Sequence, residues 1–118
     1  MKNLLKAFLY SIILAFLTLF SVSILWQRPL ALTAVLIVLS IAMLLIWRNR
    51  EDLYLYVIVS IAGALAESFA IGFSVWSYSV PDFMGIPVWL PFLWGIAGLL
   101  IKRITLEIHD FIKKPRKN

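Results

Sequence analysis

The sequence predicts an all-α polytopic membrane protein, with four transmembrane helices in one antiparallel bundle and both termini cytoplasmic. Three observations predict it. Hydrophobic residues make up 63% of the 118 positions and charged residues only 14%, against about half and about a quarter in an ordinary globular domain. A soluble fold this small leaves too much surface in water to hide so much apolar material. The apolar residues also fall into four runs separated by polar or proline-containing breaks, and ten of the eleven Lys and Arg residues fall on one side of the resulting bundle. The chain has no cysteine, so thiol nucleophiles, thiolate metal sites and disulfides are excluded.

The first span is expected over residues 4–26, broken only by Lys6. At about 1.5 Å per residue it is long enough for roughly 30 Å of hydrocarbon. It is longer than the apolar region of a signal peptide and no small-x-small site follows, so it reads as a retained helix. Gln27-Arg28-Pro29 breaks the pattern, since proline disfavours helix just before it and suits a first helical turn. The second span, 30–47, follows at once and should form a tight hairpin with the first. Arg48-Asn49-Arg50-Glu51-Asp52 is the most polar interior stretch and reads as a loop, with the third span over 53–76.

Residues 77–91 hold Pro81, Gly85, Pro87 and Pro91 and read as a loop at or in the interface. The fourth span is expected over 87–101, with Pro91 in its first turn, where a missing N–H has no intrahelical partner anyway. The span is short, so Lys102 and Arg103 should snorkel to the surface. Ile101, Ile104, Ile108, Phe111 and Ile112 recur at helical spacing and predict an amphipathic cytoplasmic extension over 102–114. Pro115 should end it.

Orientation follows from charge. Lys2, Lys6, Arg48, Arg50, Lys102, Arg103, Lys113, Lys114, Arg116 and Lys117 fall on the side of the termini, and only Arg28 on the other. The expected location is the plasma (inner) membrane, and part of the basic cluster can serve anionic lipid head groups. Basic residues at helix ends and a tail do not suggest nucleic-acid binding. Trp26, Trp47, Tyr10 and Tyr54 sit at span ends, as an aromatic belt would.

Glu67 is the acid deep in a span. Such residues are costly in lipid, face protein or water, and tend to be functional. Ser60, Gly63, Ala64, Glu67, Ala70 and Ser74 follow spacings of three and four and make one small, polar stripe. Ser11, Ala15, Thr18 and Ser21 on the first span, and Thr33 and Ser40 on the second, offer comparable faces expected to pack around Glu67. No Lys, Arg or His lies deep in the membrane to pair with it, so Glu67 is expected either to exchange a proton or to act as hydrogen-bond glue. His109, beside Glu107 and Asp110, reads as part of a solvated helix face. Asp82 reads as a turn cap. No phosphate loop, hydrolase elbow, zinc-helix motif or Ser/His/Asp set is present, so neither a cofactor nor a metal is expected.

From Glu67 the chain runs Glu67-Ser-Phe-Ala-Ile-Gly72-Phe-Ser-Val-Trp76-Ser-Tyr78, then Pro81, then Gly85-Ile86-Pro87-Val-Trp89-Leu-Pro91-Phe-Leu-Trp94-Gly95. An acid in a span, an aromatic-x-Tyr exit and Gly-Ile-Pro entering a Trp-containing span resemble part of the hydratase-type carotenoid-biosynthesis membrane proteins, and also small bacterial multi-pass membrane families. The resemblance covers residues 67–95 and carries over Glu67, Tyr78, Gly85, Pro87 and Trp94. It implies a lipophilic, isoprenoid-like substrate. This chain has fewer spans than that family and lacks further membrane acids.

The residues themselves suggest a site with Glu67 as the acid and Ser60, Gly63, Ser74, Trp76, Tyr78, Trp89 and Trp94 as the walls, a mostly apolar concavity with one convergent polar group. An acid there would suit addition to, or isomerisation of, a lipid double bond. Two other functions fit the same chain. One is an oligomeric, proton-coupled small transporter or channel, since four helices enclose a pathway only by assembling. The other is a non-catalytic subunit or scaffold on a larger membrane partner.

Overall fold

The computed structural model describes residues 2–113. It is all-helical in its regular structure, with α1 (Lys2–Leu25), α2 (Pro29–Trp47), α3 (Arg50–Gly72) and α4 (Leu90–Lys113). Three helical stretches are long and apolar enough to cross a membrane, namely Asn3–Leu25, Pro29–Trp47 and Arg50–Gly72. Their outward faces are apolar and uncovered, with Phe16, Leu19, Leu30, Val38, Ile58 and Phe69 all exposed.

Local chemistry sets the helix ends. Pro29 opens α2 at a first-turn position. Arg48 closes it in the left-handed region at φ 47°, its N–H bonded to the Leu44 carbonyl at 3.0 Å. Asn49 caps α3 by accepting from the Glu51 N–H at 3.0 Å. Glu51 and Asp52 lie in that first turn, where the helix dipole favours acids. The helix therefore starts at Arg50, inside the stretch expected to be a loop. It ends at Gly72, four residues short of the expected 76, because Ser74 turns left-handed at φ 63°.

α4 is the central helix and packs against all three others, most extensively against α3, while α1 and α3 do not touch among the described residues. It carries Lys102, Arg103 and Glu107 and is not among the stretches apolar enough to be recognised as spans. Its neighbours explain this over residues 90–104, where every α4 residue but Ile101 is buried or half-buried against the other helices. Leu90, Ile96, Leu99 and Leu100 of α4 meet Leu32, Leu36 and Met43 of α2 in the buried core. α4 starts at Leu90, not at Pro87, and runs unbroken through the expected extension to Lys113. Lys114, Pro115, Arg116 and Lys117 lie outside the described residues.

Between α3 and α4 the chain folds back on the bundle. Met84 and Gly85 have φ of 50° and 80°, the signature of a type I′ turn. The turn is closed by Ile86 N–H to Phe83 O at 2.9 Å and Phe83 N–H to Ile86 O at 3.1 Å. A side chain at Gly85 would meet Ile71 Cγ2 at 2.7 Å, so the close approach to α3 also demands glycine. Asp82 caps the turn as expected, accepting from the Val88 N–H at 2.8 Å. Ile86, Pro87 and Trp89 are buried beneath.

Candidate functional site

α3 and α4 run antiparallel, since rising positions on one meet falling positions on the other. Val59 packs on Gly98, Tyr56 and Ser60 on Gly95, and Gly63 on Trp94. Each contact places a glycine where a side chain would collide, so the two helices come close along much of their length. At Gly63 a Cβ would overlap the Trp94 indole itself. That glycine lets the ring lie flat on α3, one turn below Glu67.

The indole Nε1 of Trp94 donates to Glu67 Oε2, and the Tyr78 hydroxyl donates to Glu67 Oε1. Both carboxylate oxygens are thus taken by neutral donors, one from α4 and one from the loop. Burial and the Glu67 carboxyl push the Tyr78 phenol well above its ordinary value. The Tyr78 ring meets Trp89 edge-on, with centroids 6.2 Å apart and planes at 90°, a favourable aromatic geometry. Tyr78 and Trp89 also line a cavity of about 290 Å³ with Trp26, Ser77, Ser79, Val80 and Pro87. Tyr78 is therefore the residue that touches both the acid and the cavity.

The structure gathers Glu67, Gly63, Tyr78, Trp89 and Trp94. It does not bring in the others. Ser60 lies about two turns from Glu67 along α3 with its hydroxyl buried and unpaired. Ser74 and Trp76 are exposed beyond the end of α3. The polar faces of α1 and α2 do not surround Glu67 either. Ser11 bonds Glu107, Thr18 and Ser21 bond their own helix carbonyls, Thr33 bonds the Pro29 carbonyl, and Ser40 meets the Tyr56 hydroxyl at 2.5 Å. The reason is that α4 occupies the space between α1 and α3.

Two buried acids escaped the sequence reading. Asp52 is wholly buried, with Lys102 Nζ at 2.5 Å from one oxygen and Arg103 Nη2 at 3.0 Å from the other. Arg103 also sits over the Trp47 ring, 4.9 Å from its centroid. The two cations turn inward here instead of snorkelling. An acid at the start of one helix and two adjacent cations toward the end of its antiparallel neighbour come level with each other, and that was the available signal. Glu107 lies off the solvated face expected of it: it is buried and accepts from the Ser11 hydroxyl at 2.9 Å. His109 and Asp110 beside it are exposed. No signal in the sequence pairs positions 11 and 107.

No protein-family model, curated protein or solved structure matches this chain.

Proposed function

We propose that the chain is a four-span membrane protein, with both termini cytoplasmic, that binds a lipophilic, isoprenoid-like molecule in the cavity beside Tyr78. The observation that carries this reading is the double role of Tyr78, which lines the cavity and donates to Glu67. The walls Trp26, Trp89 and Val80 suit an apolar ligand, and Ser77, Ser79 and the Tyr78 hydroxyl supply a few polar tips. The Tyr78 hydroxyl donates its hydrogen to Glu67, so its oxygen is left to accept a hydrogen bond from a ligand hydroxyl, and Glu67 acts through Tyr78 and not on the ligand directly.

A second reading rests on the same geometry. With both oxygens occupied, Glu67 fastens the loop to α4, which is all that a non-catalytic scaffold needs. One experiment separates the two. The purified protein is titrated with geranylgeraniol and its tryptophan fluorescence is followed. Saturable quenching in the wild type, lost in Tyr78→Phe and Glu67→Gln while helical circular dichroism is kept, supports the ligand site. Equal quenching in all three proteins removes it and leaves the fastener.

A further inference from the structure

A second open concavity lies elsewhere, along the seam of α3 and α4. It holds about 530 Å³ and is lined by Glu51, Leu55 and Val59 on one helix and Trp94, Ala97, Gly98, Ile101 and Lys102 on the other. Gly98 is what makes it a groove, because the seam has no side chain there and Val59 approaches to 3.0 Å of where one would begin. From Glu51 to Val59 the groove runs about 12 Å at the helical rise, close to the depth of one leaflet of a bilayer about 30 Å thick. Its deep end is the Trp94 ring. Its shallow end is the polar stretch at residues 48–52.

The two charges at the shallow end have opposite sign and lie on opposite walls. Glu51 is exposed and has no ion-pair partner among the described residues. Lys102 gives one N–H to Asp52 and keeps part of its side chain exposed, with two further donors on its ammonium. An apolar trough ending in one anion and one cation matches a phospholipid whose headgroup carries a phosphate and a primary ammonium. Lys102 would take the phosphate, Glu51 the ammonium, and the trough one acyl chain. A headgroup without the ammonium would set its phosphate against Glu51 uncompensated. A quaternary ammonium would have no N–H to offer Glu51.

We propose that this groove is a phosphatidylethanolamine site, with the acyl chain resting on the Trp94 ring that holds Glu67. The test is native mass spectrometry of the full chain exchanged into detergent with equal amounts of phosphatidylethanolamine, phosphatidylglycerol and phosphatidylcholine. The expected result is one retained phosphatidylethanolamine, favoured at least tenfold over either competitor. Glu51→Gln should reduce that preference to less than threefold without touching the Asp52 pairs. Ala97→Phe, which fills the groove, should remove the lipid while the thermal unfolding curve stays cooperative. In parallel, a brominated-chain phosphatidylethanolamine should quench the wild type more than Trp94→Phe. Retention without headgroup preference, an unchanged preference in Glu51→Gln, or a retained lipid in Ala97→Phe would each overturn the proposal. So would a dimer whose cross-links run through Ala97 and Ile101 with no lipid bound.

Discussion

α3 carries two acids that α4 grips, and they are held in opposite ways. Asp52, at one end, has a cation on each oxygen and is wholly buried. Glu67, fifteen positions on, has a neutral donor on each oxygen and is half-buried. The same helix pair thus closes one end by neutralising a charge and the other by solvating one. An acid paired with two cations has no reason to give up its ionised form, and nothing about it can be switched cheaply. Glu67 is held only by a phenol and an indole, with no cation on either oxygen. The contrast is between an ion-paired end at Asp52 and a neutrally hydrogen-bonded end at Glu67.

The largest effect expected from breaking this contrast is at Asp52. Asp52→Asn leaves Lys102 and Arg103 facing a seam with no anion, and removing one member of a buried pair costs about 3–5 kcal/mol. The lower end of that range applies, because each cation keeps about a fifth of its side-chain surface in contact with the surroundings. Thermal unfolding in detergent should show the loss. A cost under about 1 kcal/mol would make the Asp52 end no more structural than the other.

Next comes the glycine beneath Trp94. Gly63→Val drives a side chain into the indole and should cost about 1–3 kcal/mol by overpacking, while pulling the Trp94 N–H off Glu67. Gly72→Ala is the matched control, since nothing lies within 4 Å of a Cβ there. It should leave the unfolding midpoint unchanged or slightly raised, as alanine is the better helix former. Equal behaviour of the two variants would show that the close approach of α3 and α4 at Trp94 contributes nothing.

Tyr78→Phe sharpens the comparison from the loop side. It removes one donor to Glu67, an interaction of about 0.5–1.5 kcal/mol, but the loss falls on the fold-back segment and not on the helix pair. Amide exchange over residues 73–89 should quicken while exchange in α2 and in the core of α4 does not. If α3 and α4 loosen together with the loop, Glu67 is part of the global core and the division of labour fails.

Much of this was legible beforehand. The runs that became α1, α2 and α3 are long, apolar and bounded by Pro29, Asn49 and the residues after Gly72, and lipid rewards such runs wherever they occur. Tyr78 and Trp94 were legible as walls of a site around Glu67, being aromatics with polar tips, but not as the direct donors to its carboxyl that they are. What hydropathy could not show is which helix sits in the middle. α4 looks the weakest as a span because Lys102, Arg103 and Glu107 interrupt it, yet those charges are tolerable there because Asp52 and Ser11 meet them. The same fact explains why the serine and threonine faces of α1 and α2 never reach Glu67: periodicity tells which face of a helix is polar, not which neighbour it turns toward.

The smallest expected effect is at Glu107, a buried acid that is neither ion-paired like Asp52 nor doubly donated to like Glu67. Burial raises its carboxyl above the ordinary range. The Ser11 hydroxyl and the nearby Arg103 pull the other way, and Asp110 adds to the rise. A carboxyl whose folded value lies above its unfolded value favours the folded state while protonated. Its contribution is complete below the unfolded value, about pH 4.3, and is lost as pH rises through the folded one. Glu107→Gln keeps an acceptor for Ser11 and carries no charge to bury. At neutral pH the variant should therefore be the more stable protein, by at most about 1 kcal/mol, the scale of one ordinary hydrogen bond. The advantage should vanish as pH falls below about 4. Unfolding midpoints of the two proteins measured across that range give the sign directly, and a variant that is less stable at neutral pH would mean that the ionised Glu107 is held by Arg103 much as Asp52 is, making it a second structural acid.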